Sequence, residues 1–504
     1  MNHVDAAGMC RIAAVLLLSV LSVSCSERGA WQGAMRSAGP DPVSIVVNSQ
    51  GMRFPEGLDE NRNPYLHYIE EHTGLDVQVD LPPQERYHQS AEALLASGQP
   101  PDLISVYSQV WVARQARRGA ILPLDEWLQK YGADLRRSVP EAAWAQARYD
   151  GKIYAIPSLN PNEGMELMYA RKDWLDRLGL QPPRTLEEYK RVIRAFALED
   201  PDGNGRQDTY GLGLMNHLFR SAPFFGAYGV QLNQWVEREG KLVYSNTLPE
   251  TKKALLFLAD LYREGAIDPE FPLANQAKLS QMVERGQVGL FSATWYDTRG
   301  MIALNRKRDP QAEWIPLDYP VGPQGHRGVY AIPAVRSYQV VPSGSRHPDR
   351  AVRLLNFIGG EGQETLALGF ENEVWTRKNG RIVSNFAEHD KHAYRGLYGS
   401  LADLAQTELL RTRLDSYGEE LRLYDNLERI RGSLIHDAYT GMPTPAMEAY
   451  ADELNKLQIV FLEIVLGTAP PEAFDRYVEE WTAQGGAAIT DEVNAWYRAS
   501  RRWE

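Results

Sequence analysis

Val43-Ser-Ile-Val-Val-Asn48 is a short β-branched run, and Leu75-Asp-Val-Gln-Val79 alternates apolar and polar residues after it. Between the two, a helical pattern runs from about Tyr65 to His72 and stops at Thr73-Gly74. A second helical pattern covers Glu85 to Ser97, and Asp102 to Val106 reads as a third strand. Strands that alternate with helices predict βαβ units and a parallel sheet. The fold class is therefore α/β. A chain of 504 residues exceeds what one hydrophobic core serves, so two lobes are expected.

Beyond Val106 the chain becomes more helical. Thr185-Leu-Glu-Glu188 is a capping box that opens a helix through about Ala197. Pro249 starts another, with Leu255, Leu258 and Tyr262 on one face and Gly265 as its stop. Phe474, Tyr477, Val478 and Trp481 lie at helical spacing, which is the pattern a core requires. Hydrophobic residues make up 43% of the chain and charged residues 24%, ordinary for a globular protein. The net charge of -12 argues against nucleic acid, and against an anionic membrane surface, as the main partner. Twelve Trp and 25 Tyr exceed what packing needs.

At the N-terminus, Arg11 precedes the apolar run Ile12 to Val23, which meets Ser24-Cys25. That run is too short to span a bilayer and has the length of a signal-peptide core. A small residue followed at once by Cys resembles the lipobox of bacterial lipoproteins. Residues 1–24 are then expected to be a signal peptide, Cys25 the lipidated first residue, and 25–41 a tether. Cys10 lies in the part to be removed, which leaves no disulfide.

Further along, Asp150-Gly-Lys-Ile-Tyr-Ala-Ile-Pro157 is followed by Leu167-Met-Tyr-Ala-Arg-Lys-Asp-Trp-Leu-Asp-Arg-Leu-Gly-Leu180. Phe271 after Gly265-Ala-Ile-Asp-Pro-Glu, Gly286-Gln-Val-Gly-Leu-Phe291 and Trp481-Thr-Ala-Gln-Gly-Gly through Trp496 come after them in order. The ordered set resembles the family 1 extracellular solute-binding proteins of ABC importers, and within them the LipO-type and alginate-oligosaccharide-binding lipoproteins. The resemblance implies a type II periplasmic-binding-protein fold, two lobes joined by hinge crossovers with a ligand cleft between them. It places crossovers near Ala155-Ile-Pro157, near Ala331-Ile-Pro333 and near Gly369 to Val374. Residues 42–157 and 333–367 would form the N-terminal lobe, and 158–332 and 368–504 the C-terminal lobe. Trp174 and Trp496 fall in helical family motifs and are expected in the core.

Asp200-Pro-Asp-Gly-Asn-Gly-Arg-Gln-Asp208 places oxygen side chains at the first, third, fifth and ninth positions of a loop, with Gly205 at the sixth. This is the spacing of an EF-hand-like calcium loop. Asp200, Asp202, Asn204 and Asp208 would ligate through side chains and Arg206 through its carbonyl. Gly211 stands at position twelve where a bidentate Glu is usual, so water would complete the coordination of a structural Ca2+.

A sugar presents hydroxyls on its rim and C–H groups on its faces, so its site needs polar side chains and aromatic plates. Trp295, in Ser292-Ala-Thr-Trp-Tyr-Asp297, stands where relatives place a cleft aromatic, and Trp375 follows the third crossover. Tyr107 ends the third strand, at the carboxyl edge where α/β clefts open, and Tyr330 adjoins the second crossover. Asn160, Asn162 and Glu163 lie past the first crossover, and Asn48 ends the first strand. The expectation is a lipid-anchored capture protein, monomeric and without catalysis, that hands a carbohydrate to ABC permease subunits. Two rivals stay open: a secreted carbohydrate-active enzyme such as a glycosidase, which needs two carboxylates across a scissile bond, and a scaffold or sensor lipoprotein that binds no solute.

Overall fold

The computed structural model describes residues 41–294, 296–418 and 421–501. Strand β1 (Asp41–Val46), helix α1 (Pro64–Thr73), β2 (Leu75–Asp80), α2 (Tyr87–Leu95) and β3 (Leu103–Val106) follow one another as expected. The Asn63 side chain caps α1 by accepting from the Tyr65 and Leu66 amides, and Gly74 ends it at a φ of 69°. Only a left-handed residue closes a helix in that way, and glycine adopts the conformation without strain. β1 pairs in parallel with both β2 and β3.

The chain reaches β4 (Ile156–Leu159), crosses over, and builds a second sheet from β5 (Glu166–Arg171), β6 (Tyr210–Gly213), β7 (Val288–Thr294) and β8 (Trp314–Leu317). It returns through β9 (Val329–Tyr330) to β10 (Val335–Val340). The first sheet has the order β2-β1-β3-β10-β4 and the second β8-β5-β7-β6. β10 runs antiparallel to β3 and β4, while β7 is antiparallel to β5 and parallel to β6. β5 and β7 are buried along their whole length, as strands covered on both faces must be.

Two buried cores correspond to the two sheets. One gathers Ile45, Val77, Ile104, Trp111 and Leu355, the other Leu167, Phe196, Phe291, Trp314 and Trp481. Trp174 is fully buried, edge-on to Phe196 at 5.4 Å between ring centroids, and Trp496 packs half-buried against the second core. The Thr185 capping box forms as read, and the helix from Pro249 ends at Arg263.

The boundaries differ from expectation at two of three places. β4 stays in the first sheet through Leu159, so the first crossing comes after it, at 160–165. The second passage between the sheets falls between β9 and β10, at 331–334. The third does not follow Gly369 to Val374. Tyr394, Leu397, Tyr398, Leu401 and Leu404 return to the first core, and the second core resumes at Leu410. The cause is an aromatic anchor. Phe370 stacks on Tyr65 at 4.6 Å, Tyr394 meets the same ring edge-on at 5.6 Å, and Tyr398 donates to the Glu60 carbonyl at 2.7 Å.

Candidate functional site

The parallel strands β1, β3 and β4 all end at one edge of the first sheet, and β10 begins there. The stretch 160–165 carries the chain from that edge to Glu166, the first residue of β5, where β7 also ends. The carboxyl edges of the two sheets therefore meet across the crossovers, the position at which open α/β sheets bind ligands.

On the first edge, Gln50 joins three elements. Its amide donates to the Tyr107 hydroxyl at 2.7 Å, and Arg336 donates to its carbonyl oxygen at 2.8 Å. Asn48 accepts from the Gln50 amide N–H at 2.8 Å, which holds that residue at a φ of 51°. Asn48, Gln50, Tyr107 and Arg336 are half-buried, with polar groups at the rim and stems in the protein. Burial raises the Tyr107 pKa, so its hydroxyl stays protonated.

On the second edge, the buried Glu166 accepts from the Ser292 hydroxyl at 2.6 Å and faces the Tyr330 hydroxyl at 3.5 Å. Asp297 accepts from the Thr294 amide at 2.8 Å and lies 3.5 Å from the Arg220 guanidinium. Burial pushes the Glu166 carboxyl up, against the pull of Ser292 and Arg220; burial and Glu166 together raise Tyr330 to about 12. A hollow of about 320 Å³ opens here, lined by Glu166, Phe219, Arg220, Gln231, Asn233 and Tyr330. Its wall is strained: His217, Leu218 and Arg220 hold φ values of 53°, 58° and 74°. Such outliers persist where surrounding structure over-determines them, often at binding sites. A larger hollow of about 360 Å³ lies at the opposite end of the first sheet, beside Pro42 and Asp102.

The expected site residues separate into groups. Asn48 and Tyr107 stand on the first edge and Tyr330 on the second. Asn160 donates through its side chain to the Pro333 carbonyl at 2.6 Å, and its amide donates to Ala334 at 2.8 Å, so it ties two crossovers together. Asn162 is half-buried beside it; Glu163 is exposed, 4.0 Å from Arg431, and its carbonyl accepts from Ile332. Trp295 lies outside the described residues, as does Cys25. Trp375 does not stand open as a plate: it is 5% exposed, donates to the Gly369 carbonyl at 2.8 Å, and packs with Leu368 and Val374. The β-hairpin it begins folds over this ring, which sequence spacing does not reveal. Phe219 and Tyr296, 58% and 46% exposed, are aromatic candidates that the sequence reading missed. Glu166, Gln50 and Arg220 were missed as well; the only signal was their place at strand ends or in a loop.

In the acidic loop, Asp200 accepts from the Asn204 and Gly205 amides at 3.0 Å each, and the Asn204 side chain donates to Asp202 and Asp208 at 2.7 and 3.1 Å. Partial burial, with Asp208 and Asp200 beside it, raises the Asp202 pKa. Arg206 keeps an exposed side chain, as a carbonyl ligand would. Among the described residues, no three His, Cys, Asp or Glu side chains stand grouped closely enough to hold a metal.

A further recess, about 270 Å³, lies against the first lobe, lined in part by Arg336, His389, Arg395 and Asp403. His389 bonds Tyr417 at 2.7 Å and Asp390 at 3.2 Å. Burial, then Arg395, lowers its pKa to about 4 despite Asp390. Its folded pKa lies below the unfolded value, so its contribution is complete above about 6.5 and is lost as pH falls toward 4. The stability lost across that window is about 3 kcal/mol. Melting curves from pH 7 to 4 are expected to fall less steeply for His389→Gln than for wild type; parallel curves would contradict a neutral buried imidazole.

The family model described as bacterial extracellular solute-binding protein matches residues 55–365. The chain belongs to that family. Lipoprotein LipO of Bacillus subtilis is 25% identical over 97% of this chain and 98% of its own length. The polygalacturonan/rhamnogalacturonan-binding protein YtcQ of the same organism is 22% identical over 97% and 98%. Among solved structures, an HMO binding, ABC-transporter-associated solute-binding protein from Bifidobacterium longum infantis superposes with a TM-score of 0.72 at 17% identity, covering 91% of this chain and 99% of that one. The alginate-binding protein AlgQ2, solved without calcium ion, gives 0.69 at 18% identity over 92% and 99%. The two-lobed fold of the solute-binding proteins is thus that of this chain. No described helix is long and apolar enough to cross a membrane.

Proposed function

We propose that this protein captures an oligosaccharide between its lobes and delivers it to the permease of an ABC importer. The observation that carries this reading is the pairing of two polar edges across the crossovers: Asn48, Gln50, Tyr107 and Arg336 on one side, Glu166, Arg220 and Tyr330 on the other. Each holds donors and acceptors for hydroxyl rims, and Trp295, Phe219 and Tyr296 supply aromatic faces. YtcQ and both solved relatives are named for saccharide ligands, which supports a carbohydrate here. The site binds and releases without chemistry, and the protein works as a monomer. Closure follows from contacts to both lobes, since only a ligand that bridges them favours the closed state. A panel of oligosaccharides is expected to raise the melting temperature saturably, with the sugar recovered intact. Hydrolysed sugar would point to a glycosidase, and no shift with any sugar to a scaffold.

The anchor reading rests on the sequence of residues 1–25. Cys25 carries the acyl chains and anchors the protein to the cell membrane, facing the extracellular space or the periplasm, and Cys25→Ala releases it from the detergent phase. Equal membrane recovery of both forms would contradict this.

The loop 200–208 carries three carboxylates and Asn204, all oxygen ligands suited to a hard cation, and these side chains would have to draw together to close around one. Asp200, Asp202, Asn204, Asp208 and the Arg206 carbonyl would hold Ca2+, which supplies a structural clamp. Calcium is expected to raise the melting temperature and chelation to lower it, with Asp202→Ala abolishing the difference. A melting curve indifferent to both treatments would rule the clamp out.

A further inference from the structure

The recess behind the first edge is a polar cavity with unbalanced charge. Arg336, Gln363, Arg395, Ser400, Asp403 and Arg413 are among the residues that line it. Three guanidinium groups thus meet one carboxylate. None of the three pairs with a described carboxylate. Arg336 donates to the Gln50 carbonyl oxygen at 2.8 Å and Arg413 to the Tyr417 hydroxyl at 3.1 Å. Arg395, only 3% exposed, donates to the main-chain carbonyls of His392 at 2.8 Å, His389 at 3.3 Å and Ala367 at 3.4 Å. Its Nε is buried without any partner. Asp403, the one carboxylate, accepts from the Ala405 amide at 2.8 Å and the Gln363 side chain at 3.2 Å, and it offsets Arg336 and Arg413 only from a distance, without a salt bridge.

Burying a cation against neutral acceptors costs free energy that an anion would offset. Guanidinium forks match a carboxylate bidentately, which makes arginine suited to reading that group. At about 270 Å³ the recess is slightly smaller than the roughly 300–1,000 Å³ of a whole small-molecule site, so it takes one end of a ligand. Arg336 both lines the recess and bonds Gln50 of the Gln50–Tyr107 network, so the recess adjoins the first edge.

We propose that the recess receives the carboxylate of a uronic-acid residue at one end of the bound oligosaccharide, held by Arg336, Arg395 and Arg413. This rests on the cleft being a carbohydrate site, and it narrows the ligand to acidic sugars.

The test is calorimetric titration with trigalacturonate and with the same trisaccharide whose carboxylates have been reduced to alcohols. Wild type is expected to prefer the acid by at least tenfold, and Arg413→Gln and Arg336→Gln to reduce that preference by tenfold or more. Arg395→Gln, in the most buried position, is read only if its circular dichroism and melting curve match wild type; the other two variants carry the test regardless. Acetate at the same concentration is expected not to compete. Equal affinity for acid and reduced forms overturns the proposal, and so does a preference unchanged in both Arg336→Gln and Arg413→Gln or displacement by acetate alone. If neutral sugars bind and acids do not, the carbohydrate reading stands while this one falls. If no sugar binds, the carbohydrate reading has failed first.

Discussion

Trp375→Ala is expected to destabilise the protein by about 3–5 kcal/mol, the range for deleting a buried aromatic. The ring fills a small cluster with Leu368 and Val374, its Nε1 proton satisfies the Gly369 carbonyl, and Arg377 lies over it at 5.3 Å. Alanine leaves a cavity against Leu368 and Val374 and an unpaired carbonyl at Gly369. Ligand affinity of the folded molecules should remain close to wild type, because the ring offers no face to the cleft. Denaturant unfolding together with calorimetric titration reads both quantities. A variant of normal stability that has lost its ligand would place Trp375 in the cleft after all.

The reverse is expected at Trp295. In sequence it follows directly on Thr294, the last residue of β7. As a sugar platform it supplies a central aromatic anchor, and Trp295→Ala should weaken binding by about 2–4 kcal/mol. Its fluorescence should change on ligand addition with the midpoint of calorimetric binding. A loss of stability comparable to that of Trp375→Ala, with affinity preserved, would make Trp295 a core residue instead.

The two tryptophans show what sequence carries and what it omits. The first sheet was legible because β-branched runs and helical periods are local: β1 to β3 and their parallel pairing follow from Val43 to Val106. The capping box at Thr185 was legible for the same reason. The fate of Trp375 was not, since its burial depends on a hairpin and on residues 394–404 returning to the first core. That return is fixed by Tyr65, Phe370, Tyr394 and Tyr398, partners far apart in the chain that no spacing relates. Asn48, Tyr107 and Tyr330 were read as edge residues because strand ends and crossovers mark a cleft edge, and the structure places all three at the sheet edges. Glu166 and Arg220 were missed because a buried carboxylate at a strand start, and an arginine in a strained loop, look like any others in sequence. Asn160 was read as a rim residue, yet its bonds to Pro333 and Ala334 make it a tie between crossovers.

Capture by closure is tested most directly by small-angle X-ray scattering of the mature protein, titrated with the oligosaccharide that gives the largest thermal shift. The radius of gyration should fall saturably as the lobes rotate together, with the same midpoint as calorimetric binding. Saturated, tight binding with an unchanged radius of gyration would contradict a sugar held between two closing lobes.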